Sequence, residues 1–360
     1  QFPSLDYYDA DIPITLRFIA RTNTYLLGRC HVRFDDEWIQ SIEPLSSPWE
    51  IDPTPIPLRI LALAPDCNPA IRKPKRLHVK YGQREYSLSL DSPRPFLIGL
   101  KADLQRLDPD LILTDYGDTW LFPQLGAWSE ETGIELNPNR DENRQIMTRK
   151  ADSYFAYGQV TYRGAQSHLF GRWHIDRKNA MSFGEYGLEG AMEQARVTGI
   201  GVQEMARKSP GAGITAMQML TALCNAVMVP VQKQQVEGTK TLSELIRADH
   251  GGLIYQPLIG LHGNVAQIDF SSMYPAIMVK HNISPETVGL ENAPEGLIPK
   301  TLRPLLEKRL VLKNILSDLD PRDCRVGILK ARASALKWLL VVCFGYLGYK
   351  NARFGKIESH

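Results

Sequence analysis

At 360 residues and 43% apolar content, the chain is long enough to bury substantial cores in two or three domains. Its 42 Lys/Arg against 40 Asp/Glu leave a formal net charge of +2, so composition alone does not mark a nucleic-acid binder. Five cysteines without any C-x-x-C spacing argue against a zinc site or a disulfide framework and for a reducing compartment.

The distribution of charge says more than its sum. Residues 1–50 hold eight acids against four Lys/Arg, whereas residues 299–360 hold thirteen Lys/Arg against five acids. A basic end beside a mildly acidic start fits a polyanion-handling surface localised to one end; a solvated helical face is the plainer alternative. The longest strongly apolar run, Trp338 to Tyr349, contains two glycines and is too short for a membrane span, and no secretory signal opens the chain. The sequence begins with Gln1 and stops at Ile-Glu-Ser-His, and both ends read as cuts in a longer protein.

In chain order, residues 1–57 predict short strands at Thr15 to Ala20 and Thr24 to Phe34, punctuated by Pro and Asp. A buried-type strand is expected from Leu58 to Ala64, with further strands near His78–Lys80 and Glu85–Leu90. A helix from about Gly99 to Leu107 and a strand from Leu111 to Thr114 continue the α/β alternation. Residues 185–208 read as one helix, Ser209 to Gly213 as a breaking loop, and 214–228 as a further helix with a core-packing stripe. After Gly251-Gly252 comes an apolar strand, Val265 to Ile268, that delivers Asp269. A turn through Ser271 and Ser272 follows, and Tyr274-Pro275 leads into an apolar helix. Residues 299–345 predict two long helices joined by 317–323, with Pro299 near the start of the first.

A carboxylate at a strand end, beside free backbone N–H groups of a turn, suits a metal ion carrying a phosphate chain. The ordinary reading is a strand-turn-helix whose Asp caps the helix. On the first long helix Arg309 and Lys313 are four apart and share a face. On the second, Lys330 and Lys337 are seven apart, and Val341 and Phe344 continue that stripe. Cationic faces on both arms of a helical hairpin form a candidate triphosphate clamp, although lone cationic stripes are usually solvated.

Asp269-Phe-Ser-Ser-Met-Tyr274-Pro closely resembles the Asp-x-x-Ser-Leu-Tyr-Pro motif of family B DNA polymerases. Arg332-Ala-Ser-Ala-Leu-Lys337 and the apolar run after it are similar to that family's fingers motif, Arg-Gln-x-Ala-Leu-Lys followed by Asn-Ser-x-Tyr-Gly. Arg309 and Lys313 match its Leu-Leu-x-x-Arg-x-x-x-Lys. Ala333, Val341 and Phe344 depart from the usual Gln, Asn and Tyr. Tyr8-Asp-Ala-Asp-Ile12 looks like Tyr-Asn-Ala-Asp-Ile of the N-terminal domain, and Gly251-Gly252 sits where the family links its modules, with Asp249 at the usual Tyr.

The match fails chemically in the proofreading module. Ala64 stands at the first exonuclease Asp and Asp66 at the Glu, Leu121 at the catalytic Asp of the second motif, and Gln194 at the last Asp, with Gly190 at the Tyr. Two-metal hydrolysis needs several convergent carboxylates, and Ala, Leu and Gln supply none. Asp118 and Glu193 are nearby acids at the wrong offset. The pattern resembles an archaeal and bacterial branch with degenerate exonuclease motifs.

The resemblance implies a mixed α/β (α+β) multidomain fold. Its parts are a β-rich N-terminal domain over 1–57, an inactive RNase H-like 3′–5′ exonuclease-type domain over 58–245 and the first part of a palm over 246–298. Fingers helices over 299–345 and a return to the palm over 346–360 follow. It implies template-directed DNA synthesis from dNTPs on primer-template DNA, in replication or repair. Asp269 and the Phe270 carbonyl would hold Mg²⁺ at a two-metal site, and the turn amides of Ser272, Met273 and Tyr274 would hold the triphosphate. Tyr274 would exclude a ribose 2′-OH, and Arg309, Lys313 and Lys337 would neutralise phosphate charge. The family's second carboxylate motif, Tyr-Gly-Asp-Thr-Asp-Ser, is not found before His360, so a C-terminal palm and thumb portion is an expected partner. A sliding clamp is another candidate. A cytoplasmic, nucleoid-associated location with no membrane partner is expected. The rival reading is a non-catalytic DNA-binding or assembly subunit derived from a polymerase. Retention of Asp269, Tyr274, Arg309 and Lys337 together argues against it.

Overall fold

A computed structural model describes residues 7–156, 159–181, 183–231, 241–248, 255–349 and 351–356. Asp249, the Gly251-Gly252 linker and residues 357–360 lie outside them. The chain divides into two compact units, a helical one (1–53, 188–201 and 209–360) and a sheet-centred one (54–187 and 202–208).

The helical unit opens with α1 (Ile14–Thr22) and an antiparallel hairpin of β1 (Cys30–Asp35) and β2 (Trp38–Pro44). The strand expected at Thr15 to Ala20 is therefore helical. Ile12, Leu16 and Ile19 recur at helical spacing and are buried with Ala216, Met219 and Leu220. Burial of that stripe outweighs the modest strand preference of its β-branched residues.

In the sheet-centred unit, β3 (Ile60–Pro65), β4 (Arg76–Tyr81) and β5 (Arg84–Ser89) form an antiparallel meander. Next come α2 (Pro93–Leu107), β6 (Leu111–Thr114), a π-helical turn at 117–121 and α3 (Phe122–Thr132). The short strands β7 (Met147–Arg149), β8 (Asp152–Ala156), β9 (Gln159–Arg163) and β10 (Gln166–His168) lead to β11 (Trp173–Asp176). The sheet order is β11-β6-β3-β4-β5, with β6 parallel to β3 and β11 parallel to β6. Alternate residues Leu61, Leu63, Leu77 and Val79 are buried with Phe96, Leu97 and Leu100 of α2.

α4 (Phe183–Thr198) carries a kink at Gly187 (φ 55°, ψ −159°), where the two units divide. A left-handed Gly199 (φ 71°) then ends it, so 185–208 is not one helix, and α5 (Val202–Met205) is a separate turn. The expected loop at 209–213 is instead the start of α6 (Pro210–Cys224): the Ser209 hydroxyl accepts from Ala212 N–H, and Pro210 occupies N1. α7 (Leu242–Ala248), α8 (Met273–Lys280), α9 (Leu297–Asp318) and α10 (Arg325–Gly348) complete the unit. The hairpin of α9 and α10 is as predicted. Its apolar stripes meet in a core of Ile298, Leu302, Leu305, Leu312, Leu336, Leu339 and Leu340. Tyr346 of α10 lies so close to Gly211 of α6 that any Cβ at 211 would collide with the phenol. No strand forms at Val265 to Ile268. Residues 255–270 are exposed throughout, with Val265 at 75% and Ile268 at 87%, because no described segment pairs with this backbone. Among the described residues no helix is long and apolar enough to cross a membrane. All five cysteines are free thiols.

A buried polar knot ties β6, β10, β11 and α5 together. Asp118 accepts from Ser167 N–H (2.7 Å), Asn179 Nδ2 (2.9 Å) and Arg207 Nη2 (3.2 Å). A neutral His174 ring with its proton on Nδ1 donates to the Ser167 carbonyl (2.8 Å), and its Nε2 accepts from the Thr114 hydroxyl (2.8 Å). Burial, then the Arg207 charge, pushes His174 down to about 3 and His168 down to about 4. Burial pushes the neighbouring Asp176 carboxyl up. Both imidazoles are thus neutral when folded and take up protons once unfolded. Their stabilising contribution is complete above about pH 6.5 and is lost as pH falls through about 4 for His168 and about 3 for His174. The raised Asp176 carboxyl acts in the opposite sense, so about 4 kcal/mol is the upper limit of the loss that denaturant titrations should show between pH 7 and pH 5, and His174→Gln should remove about 2 kcal/mol of the imidazole contribution. A pH profile that is the same in His174→Gln as in the native protein would contradict burial of a neutral imidazole at 174.

Candidate active site

The candidate site is built on the turn ahead of α8. Ser272 adopts the left-handed conformation (φ 55°, ψ 46°) and is the N-cap residue of α8, so Asp269 is exposed on the segment leading in and does not cap the helix. The left-handed residue reverses the chain tightly enough to start a helix directly after the turn. The N–H groups of Met273 and Tyr274 open that helix and have no intrahelical acceptor. Pro275 contributes no N–H and is tolerated in the first turn.

Helix α9 presents its cations to the hydroxyls of this turn. Arg309 Nη1 donates to Ser272 Oγ, and Lys313 Nζ donates to Ser271 Oγ at 2.8 Å. Four-residue spacing on α9 meets adjacent residues on the turn, so both contacts form at once. Burial lowers the pKa of the half-buried Arg309 guanidinium. From α10, Phe344 stacks on Tyr274 with ring centroids 4.5 Å apart and planes 17° apart. Val341 is exposed on the same helix, and Lys337 is exposed with its ammonium 5.8 Å from the Trp338 ring centroid. The structure therefore brings Ser271, Ser272, Tyr274, Arg309, Lys313 and Phe344 together and holds Lys337 over its neighbour's ring.

The arrangement offers hydroxyls, two cations and helix-start amides on one side of a turn, and one carboxylate before it. Such donors suit a polyphosphate chain. They do not by themselves complete a magnesium site. Asp269 is a single carboxylate, the Phe270 carbonyl adds one oxygen, and among the described residues no group of three His, Cys, Asp or Glu could hold a metal.

The contacts of Ser271, Lys308 and Glu193 are not foreseen from the sequence. Ser271 pairs with Lys313 across 42 residues. Lys308 is buried on α9 and forms an ion pair with Glu193, which is also buried and accepts from Arg196 Nη1 at 2.6 Å. Lys308 also donates to the Pro48 carbonyl at 2.7 Å, and desolvation lowers its pKa. The signal was present, because Lys308 falls on the stripe between Leu305 and Leu312, where a charge must find a buried partner.

The residues that the sequence resemblance sets at exonuclease positions stand in separate surroundings. Ala64 lies in β3, Leu121 is fully buried, and Asp66 is exposed, its carboxylate accepting from Lys75 N–H at 3.1 Å. Desolvation raises the Asp66 pKa, but the backbone donors at Lys75 and Arg76, with Cys67 and the Arg72 charge, leave a net lowering. Gln194 belongs to the helical unit, where its amide donates to the Ala335 carbonyl at 2.9 Å.

A family described as DNA polymerase family B matches residues 212–295, which include the Asp269–Tyr274 turn and stop short of Arg309, Lys313 and Lys337. DNA polymerase 2 of Saccharolobus solfataricus is 36% identical over 183 residues, 48% of this chain and 27% of that protein. DNA polymerase 1 of Pyrococcus abyssi is 26% identical over 328 residues, 74% of this chain and 42% of that protein. The chain thus spans less than half the length of these relatives. The solved family B DNA polymerase from the hyperthermophilic archaeon Pyrobaculum calidifontis is similar in fold, with a TM-score of 0.69 at 21% identity, covering 98% of this chain and 56% of that one. The chain is thus similar in sequence to family B DNA polymerases, over residues 212–295 and beyond, and shares the mixed α/β multidomain fold of a solved one.

Proposed function

We propose that this chain is the portion, from the N-terminal domain through the fingers, of a template-directed DNA polymerase that transfers nucleotides from dNTPs to a primer 3′-OH. The observation that carries the reading is the convergence of Arg309 and Lys313 on the turn hydroxyls, one residue before the amides that open α8. Those groups would receive the triphosphate and offset charge developing on it during transfer. Asp269 would be one metal carboxylate. The proposed two-metal chemistry draws its second from outside the described residues, in a C-terminal palm and thumb portion. On this reading residues 246–298 belong to the palm and 299–345 to the fingers, and primer-template DNA is the macromolecular partner.

The sheet-centred unit is proposed as an RNase H-like exonuclease domain without exonuclease activity. Its antiparallel meander followed by parallel strands supports the fold, and Ala64 and Leu121 support the loss of chemistry. Full-length protein incubated with mismatched primer and Mg²⁺ or Mn²⁺ should leave the 3′ end intact. Metal-dependent shortening that disappears in Asp66→Ala would refute this.

The Tyr274 ring, held flat against Phe344, is proposed as the sugar gate. In the full-length enzyme Tyr274→Ala should raise NTP use relative to dNTP by about tenfold or more, the effect of ~1.4 kcal/mol of lost steric discrimination. Unchanged sugar selectivity in an active variant would remove Tyr274 from this role.

The cationic clamp is tested by single-turnover kinetics. Arg309→Ala and Lys337→Ala should each weaken dNTP binding and slow transfer by about tenfold to a hundredfold. DNA affinity, spread over many backbone contacts, should fall little. Lost DNA binding with a normal dNTP dependence would make the helices a DNA-contact surface instead.

A further inference from the structure

We propose that Gln194, at the position matched to the last exonuclease Asp, is a positioning residue that clasps the α9–α10 hairpin to α4. Gln194 and Ala335 are both fully buried, and the Gln194 Nε2–H donates to the Ala335 carbonyl at 2.9 Å. Its neighbour Glu193 forms the buried ion pair with Lys308 of α9, and one turn earlier Glu189 accepts from Arg332 of α10 at 3.3 Å. Consecutive residues of one helix therefore hold both arms. The grips fall beside the proposed clamp cations: Lys308 immediately precedes Arg309, and Ala335 lies two residues before Lys337.

The chemistry requires a donor. Ala335 O is a backbone acceptor, and an ionised carboxylate has only acceptors to offer. An Asp at 194 would be one carbon shorter and would set a negative charge against the carbonyl dipole in a dry site. The same residue that removes a metal ligand thus adds a donor to the hairpin. The clasp sets where α10 stands before any nucleotide arrives. Its effect on nucleotide use rests on the polymerase reading above, and its effect on hairpin mobility does not.

The full-length protein allows both to be read. Gln194→Met keeps the side-chain volume and removes the donor, and Gln194→Glu keeps the shape with acceptors only when ionised. By hydrogen–deuterium exchange, amides of residues 329–345 should exchange about tenfold faster in Gln194→Met than in the native protein, and faster again in Gln194→Glu at neutral pH, while residues 214–222 of α6 stay protected. KM for dNTP should rise several-fold, with kcat changed less. Native-like exchange in Gln194→Met would overturn the proposal, as would faster exchange spread evenly over the helical unit, which would make Gln194 a packing residue. If the protein incorporates no nucleotide, the polymerase reading fails and the exchange result still decides the clasp. If Gln194→Met does not fold, the paired change Glu193→Gln with Lys308→Met carries the test to α9, where residues 302–313 should exchange about tenfold faster and unchanged protection would overturn the proposal.

Discussion

Burying an ammonium and a carboxylate together at Lys308 and Glu193 fixes the rotation of α9 about its own axis. Either charge alone would be too costly to leave in that interior, so the pair cannot separate without exposing both groups to water. Once Lys308 points inward, helix geometry decides the rest: Arg309 is turned about 100° away and Lys313 about 140° from Lys308, close to each other in direction. Both then face the turn at Ser271 and Ser272. The proposed phosphate-facing surface of the hairpin is thus a consequence of a buried charge on its other side.

The turn is equally constrained. A left-handed Ser272 costs strain that a glycine would avoid, yet glycine would remove the hydroxyl that Arg309 holds. The serine therefore serves two ends, reversing the chain and engaging a cation. An arginine engaged by a neutral hydroxyl keeps its charge uncompensated, unlike one paired with a carboxylate, and remains attractive to an anion. Phe344 against Tyr274 adds an aromatic wall from the second arm, so three elements (α8, α9 and α10) share one small volume.

Sequence was informative where a pattern is local. The α9–α10 hairpin was legible because its apolar stripes run for 22 and 24 residues, long enough for the helical period to dominate. β6 was legible at its observed bounds because a short apolar run sits between Asp residues. The run Thr15 to Ala20 misled because Ile and Thr favour strands locally, while the decision was made by Met219 and Leu220, two hundred residues away. Val265 to Ile268 misled for the complementary reason: strand character needs a pairing partner, and none is described for it. The turn residues Asp269, Ser272 and Tyr274 and the α9 cations Arg309 and Lys313 were readable as motifs. The groups that hold the two arms were not, because Glu193 meets Lys308 of α9 and Gln194 meets Ala335 of α10 far along the chain, and nothing local marks either pair.

Asp118 shows how fully a buried carboxylate can be engaged by donors of the protein itself. Both carboxylate oxygens accept twice: Oδ1 from the Ser167 amide and Arg207 Nη2, and Oδ2 from Asn179 Nδ2 and, at 3.4 Å, the same Arg207 nitrogen. A carboxylate saturated by protein donors in a site without water access has no lone pair left to offer a cation, and exchanging those donors for a metal would leave the Arg207 guanidinium buried beside two positive charges. Glu193 is committed in the same manner, to Lys308 and Arg196. Asp118 and Glu193 are thus both held by cations of the protein itself, each within its own unit.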